Sequence, residues 1–212
     1  MISAGEVVDV GRRVAAAYLL VSALAMASSG PLWAQSAVNN GEFDQDLAAW
    51  TLFSGPDLSA TWSSIDRDGD SGSGSAELRD MAIGNGGNQI IVTQCVDLSG
   101  QSIPVPWEVS AQVELEGEAW LNAWFHMAEY SDDRCADYVG ITATELVNQA
   151  NSAWQTISGD YTPFDSGIGS VRIELVIQKP SDSGTAGLAR FDGVSFGTFE
   201  DILFSDRFED QP

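Results

Sequence analysis

From Asn39 onward the chain alternates between short apolar-rich runs and gaps filled by Gly, Ser, Asp, Asn and Pro. Within the runs, apolar and polar residues exchange with a period of two, as expected of strands that bury one face. The early runs are Trp50–Ser54, Ala60–Ile65, Ser75–Arg79, Gln89–Val96 and Trp107–Leu115. The later ones are Ala119–Met127, Tyr138–Thr142, Trp154–Ser158, Val171–Ile177 and Ala189–Phe196. Gaps such as 66–74, 84–88 and 179–187 carry turn chemistry. About ten short strands at this spacing predict an all-β sandwich or jelly roll. One stretch, Thr144–Asn151, is a helix candidate, although it lacks a convincing apolar face.

The stretch from Glu118 to Cys135 is the most unusual. On a strand, Ala119, Leu121, Ala123 and Phe125 point one way, small and apolar as a packed interior requires. Trp120, Asn122, Trp124 and His126 point the other way, and His126 is the only histidine in the chain. Two indoles on an outer face require either cover from a loop or neighbouring strand, or a flat ligand to stack on. Two further strands alternate in the same manner. Ser110, Gln112 and Glu114 face outward from one, and Arg172, Glu174, Val176 and Gln178 from the other. If the three strands share a sheet, its outer face gathers Trp120, Asn122, Trp124, His126, Gln112, Glu114, Arg172 and Glu174. Planar polar groups around aromatic plates suit sugar hydroxyls and the C–H faces of sugar rings. The alternative is an ordinary solvated sheet face.

Charge and address narrow the partners. The formal net charge is −22, with a single lysine, Lys179. Such a surface repels phosphate backbones, so nucleic acid is not expected as a partner. Arg12 and Arg13 precede the apolar run Val14–Ala27, which Ser28–Pro31 breaks. This reads as a secretory signal peptide over residues 1–34, cleaved after Ala34 or alternatively after Ala27. The run is short for a membrane span, and the mature form is expected to have none. The leader carries two acids and two bases, so the mature charge stays at −22. The expected organisation is therefore a leader, one domain over 35–198 and a tail over 199–212. In an exported chain, Cys95 and Cys135 favour a disulfide; two buried free thiols are the alternative.

Several motifs in order carry a resemblance. Asn39–Trp50, with Asn-Gly-Glu-Phe-Asp at its start, resembles the opening of the galactose-binding-like jelly-roll carbohydrate-binding modules often attached to cellulases and xylanases. Phe191-Asp-Gly-Val-Ser-Phe196 resembles their closing strand. Thr93–Val96, Ala153–Ile157 and Ser170–Leu175 resemble a secreted subgroup of undefined ligand. The similarity runs over roughly Val38–Gly197 and implies a galactose-binding-like jelly-roll β-sandwich that binds glycan without catalysis.

The resemblance also implies a structural Ca²⁺ held by Asp44, the Asp70–Ser75 loop (with Asp70 and Ser73) and Asp192. The chain departs from the pattern in two places. Asp44 is shorter than the usual Glu, and Gly193 replaces a second acid or amide. The EF-hand-like spacing Asp66–Glu77 lacks the glycine at its sharp turn, so it reads as a polar hairpin tip.

A catalytic reading finds little. With one histidine, a nucleophile–base arrangement has few ways to form. Glu114 and Glu174 are the candidate glycosidase pair. Ser75–Arg79 faintly resembles a strand of jelly-roll polysaccharide lyases. The expected function is non-catalytic glycan binding through an exposed aromatic and polar sheet face. The alternatives are a structural or adhesive β-domain without a small ligand, and a glycan-active enzyme.

Overall fold

The computed structural model describes residues 36–55, 57–81, 89–99, 107–117, 121–144, 146–148, 153–179 and 186–198. The expected leader over 1–34, the expected tail over 199–212 and Trp120 lie outside these residues. The strands are β1 (Thr51–Leu52), β2 (Leu58–Ser63), β3 (Ser75–Asp80), β4 (Gln89–Asp97) and β5 (Trp107–Glu116). They continue with β6 (Asn122–Tyr130), β7 (Tyr138–Ala143), β8 (Gln155–Tyr161), β9 (Ser170–Gln178) and β10 (Gly187–Thr198). Every predicted run contributes a strand. The helix candidate does not form among its described residues; Val147 instead bridges antiparallel to Ala123.

Two five-stranded antiparallel sheets form a sandwich. Sheet A has the order β1-β4-β9-β6-β7, and sheet B the order β2-β3-β10-β5-β8. The alternation of sequence becomes alternation of burial, most cleanly along β5. Val109, Val113 and Leu115 of β5 meet Ala123, Phe125 and Met127 of β6 in one core with Ile173, Leu175 and Ile177 of β9. Each such fully buried Leu, Ile or Phe side chain contributes about 1.5–3 kcal/mol. Phe125 and Phe191 join the two sheets, their ring centroids 6.1 Å apart.

A bulge in β10 falls between Asp192 and Ser195. It keeps Phe191, Val194 and Phe196 all in the core, which strict alternation would not allow. The motifs at the two ends of the domain meet at this bulge. Val194 N donates to Gly41 O at 3.0 Å. A Cβ on Gly41 would stand 2.0 Å from Val194 O, so the backbone contact requires glycine. Gln94 of β4 clamps Asn39, accepting from its N at 2.7 Å and donating to its O at 2.8 Å. The indole of Trp62 donates to Phe43 O at 2.7 Å.

Candidate functional site

Strands β6 and β9 are neighbours in sheet A, and their register pairs Asn122 with Gln178, Trp124 with Val176, His126 with Glu174 and Ala128 with Arg172. Asn122, Trp124, His126, Glu174 and Arg172 therefore share the outer face, as expected. Strand β5 belongs to the other sheet, which corrects the expected grouping. Gln112 lies on the outer face of sheet B and donates to Thr156 Oγ1 at 2.9 Å. Glu114 lies there too and accepts from Arg190 Nη1 at 2.7 Å, in a lattice that also holds Glu77 and Glu116. Alternation decides whether a residue points in or out. It does not decide which of two sheets a strand joins.

The expected aromatic platform also changes. Trp124 is only 7% exposed although it is not part of the core between the sheets. Its ring meets His126 edge-on, with centroids 5.7 Å apart. Asn122 Nδ2 lies 3.5 Å from Gln178 Oε1, a stretched contact. Trp124 is thus covered, contrary to an open plate at its position.

Aromatic surface opens instead at the other end of β6. Tyr130 continues the outward alternation and is packed under Arg172, whose guanidinium carbon lies 5.2 Å from the ring centre. Tyr138, the first residue of β7, meets Tyr130 edge-on at 5.9 Å and is 60% exposed. One wall of this end is covalent. Cys95 on β4 is bonded to Cys135 in the β6–β7 loop, with Cα atoms 6.0 Å apart. The bond spans β9, which lies between β4 and β6. Ser170 of β9 fastens the same loop, donating to Asp132 O at 2.7 Å and accepting from Cys135 N at 3.0 Å.

Between the two ends lies Glu174, 1% exposed. Its Oε1 accepts from Arg172 Nε at 2.8 Å and lies 2.7 Å from Nη2. Its Oε2 stands 3.4 Å from His126 Nδ1, close enough for an ion pair but without hydrogen-bond geometry. Neither of these two buried atoms has a hydrogen-bond partner among the described residues. Burial alone would push the Glu174 carboxyl up; His126 and Arg172 outweigh it and hold it below the usual carboxylate value.

Sequence reasoning did not single out Tyr130 and Tyr138 as site residues. Following the alternation past His126 would have found Tyr130. Tyr138 depends on a register shift between Glu129 and Tyr130 that the sequence does not announce.

Among the described residues, no three Asp, Glu, His or Cys side chains come together as a metal site. Asp44 is exposed. Asp70 Oδ1 caps its own turn by accepting from Gly72 N at 2.8 Å, and the Ser73 hydroxyl donates to Asp66. Asp192 is fully buried, accepting from Gly193 N at 2.7 Å and Arg67 N at 3.0 Å. Burial pushes its pKa up to about 6, beyond what these two amides offset.

No family model matches the sequence, and neither does any curated protein. Solved structures share the fold. TmCBM61, determined in complex with β-1,4-galactotriose, aligns at a TM-score of 0.50 and 9% identity, over 77% of this chain and 99% of that one. The CBM22-1–GH10 modules of Clostridium thermocellum endo-1,4-β-D-xylanase 10B, complexed with xylohexaose, align at 0.54 and 12% identity. That match covers 77% of this chain and 28% of the xylanase chain. The fold is therefore the β-sandwich of carbohydrate-binding modules, as the sequence motifs implied.

Proposed function

We propose that this chain is an exported, non-catalytic glycan-binding module that engages a neutral saccharide on the outer face of sheet A, at its Tyr138 end. One observation carries this reading. Tyr138 stands 60% exposed on that face, edge-on to Tyr130, whose ring lies under Arg172. Tyr138 offers an exposed ring for a sugar C–H face, flanked by Arg172. The net charge of −22 disfavours an anionic polymer. The sandwich shared with glycan-binding modules and the disulfide support the export and binding classes.

Catalysis is a poorer fit. Glu114 and Glu174, the acids offered as a glycosidase pair, stand on different sheets. A glycosidase needs its two carboxyl groups on either side of one bond, about 5–9.5 Å apart. A carboxyl held low by an imidazole and a guanidinium is also a poor general acid.

Isothermal titration of the secreted protein with neutral xylo- and galacto-oligosaccharides tests the proposal. Tyr138→Ala should weaken binding about tenfold, or roughly 1.4 kcal/mol, with the melting temperature unchanged. Absence of binding by the wild type on a broad glycan array would defeat it. A second reading, a structural β-domain without a small ligand, is favoured by the burial of Trp124.

A further inference from the structure

The segments that open and close the domain bring two acids, Glu42 and Asp192, beside one arginine. Arg67 belongs to the turn between β2 and β3. Its backbone N donates to Asp192 Oδ2 at 3.0 Å, tying that turn to β10. Its Nη2 lies 3.4 Å from Glu42 Oε2, reaching the opening segment. Its Nε donates to Asp68 Oδ2 at 3.0 Å, which fixes the fork. The fully buried Asp192 lies within its electrostatic reach.

Gly193 accounts for how the guanidinium fits. A Cβ at that position would stand 1.7 Å from Arg67 Nη1. The backbone there has φ of 59°, a conformation glycine adopts without strain. An Asp or Asn at 193 would occupy the guanidinium's place. The glycine at 193 and the arginine at 67 are thus two halves of one arrangement.

We propose that the guanidinium of Arg67 is the fixed cation that joins the opening segment, the β2–β3 turn and the closing strand, so that the fold is held here without calcium. A Ca²⁺ ion requires six to eight oxygen ligands. Here Asp70 and Ser73 are turned to their own loop, and Asp44 is exposed. A divalent ion at the seam would also have to approach a resident positive charge. A guanidinium suits the position because its planar fork reaches several acceptors at once and never loses its charge.

The secreted protein is purified without chelator, analysed for bound calcium and melted with calcium or with EGTA. The expected result is no stoichiometric calcium and the same melting temperature in both buffers. Arg67→Gln should lower the melting temperature by several degrees, and Gly193→Ala, which displaces the guanidinium, should lower it as well. Arg67→Lys, which keeps charge but not the fork, should fall between Arg67→Gln and the wild type. One equivalent of calcium in the wild type, or a melting temperature that drops on chelation, overturns the proposal. So does an Arg67→Gln protein that melts like the wild type. If Arg67→Gln does not fold, the wild-type calcium measurements together with Arg67→Lys decide the matter.

Discussion

Trp124 and Tyr138 sit on the same sheet face and have opposite exposures, 7% and 60%. Their substitutions should therefore fail in different ways. Trp124→Ala empties a packed site and should cost on the order of 3 kcal/mol in urea denaturation. Tyr138→Ala should leave stability within about 0.5 kcal/mol, as exposed substitutions usually do. A Trp124→Ala protein as stable as the wild type would mean that the indole is not packed as described. The direction in which each side chain points was legible from alternation alone, and Asn122, Trp124, His126 and Arg172 do share a face. Exposure was not legible, because it depends on what packs over a face from elsewhere in the chain.

At the scale of elements, the ten strands were legible because turn residues punctuate nearly every gap and alternation marks nearly every run. The partition of those strands into sheets was not. β5 and β9 carry the same in–out code, yet one pairs with β10 and β8 and the other with β4 and β6. Only long-range pairing separates them, and hydrophobic period carries no trace of it. The β10 bulge was equally hidden, since it is read only against its partner strand. The disulfide ties β4 to the β6–β7 loop across a sequence separation of 40. Replacing both cysteines by serine should cost about 4 kcal/mol by the chain-entropy model. It should also weaken saccharide binding, because the loop beside Tyr130 and Tyr138 loses its covalent anchor. Equilibrium denaturation and titration on the same double variant check both. Lowered stability with unchanged affinity would show that the loop takes no part in binding.

At the scale of the whole molecule, buried acids with opposite shifts should shape stability against pH. Asp192 has a folded pKa raised to about 6 from an ordinary 3.8, because it is fully buried. Its folded form prefers the proton more than its unfolded form does. Above pH 6 the domain therefore carries a penalty, about 3 kcal/mol at 1.36 kcal/mol per pKa unit. That penalty is relieved as pH falls from about 6 towards 4. Glu174 acts in the reverse sense, since His126 and Arg172 overcome its burial and hold its pKa below the usual value. The stabilisation from its charged form is complete above the unfolded value of 4.5 and is lost as pH falls through the lower folded value. Urea denaturation from pH 7.5 to 3 should then show stability rising to a maximum between pH 4 and 5 and falling below pH 4. Urea is the suitable denaturant because it adds no salt to screen a chain of net charge −22. Asp192→Asn provides the control. It removes the titrating group while keeping one acceptor for the two amides, so absolute stability is less informative than slope. The rise between pH 7 and 5 should flatten in this variant, and the fall below pH 4 should remain. An unaltered rise would assign the neutral-pH penalty to general repulsion among the surface carboxylates instead of to Asp192.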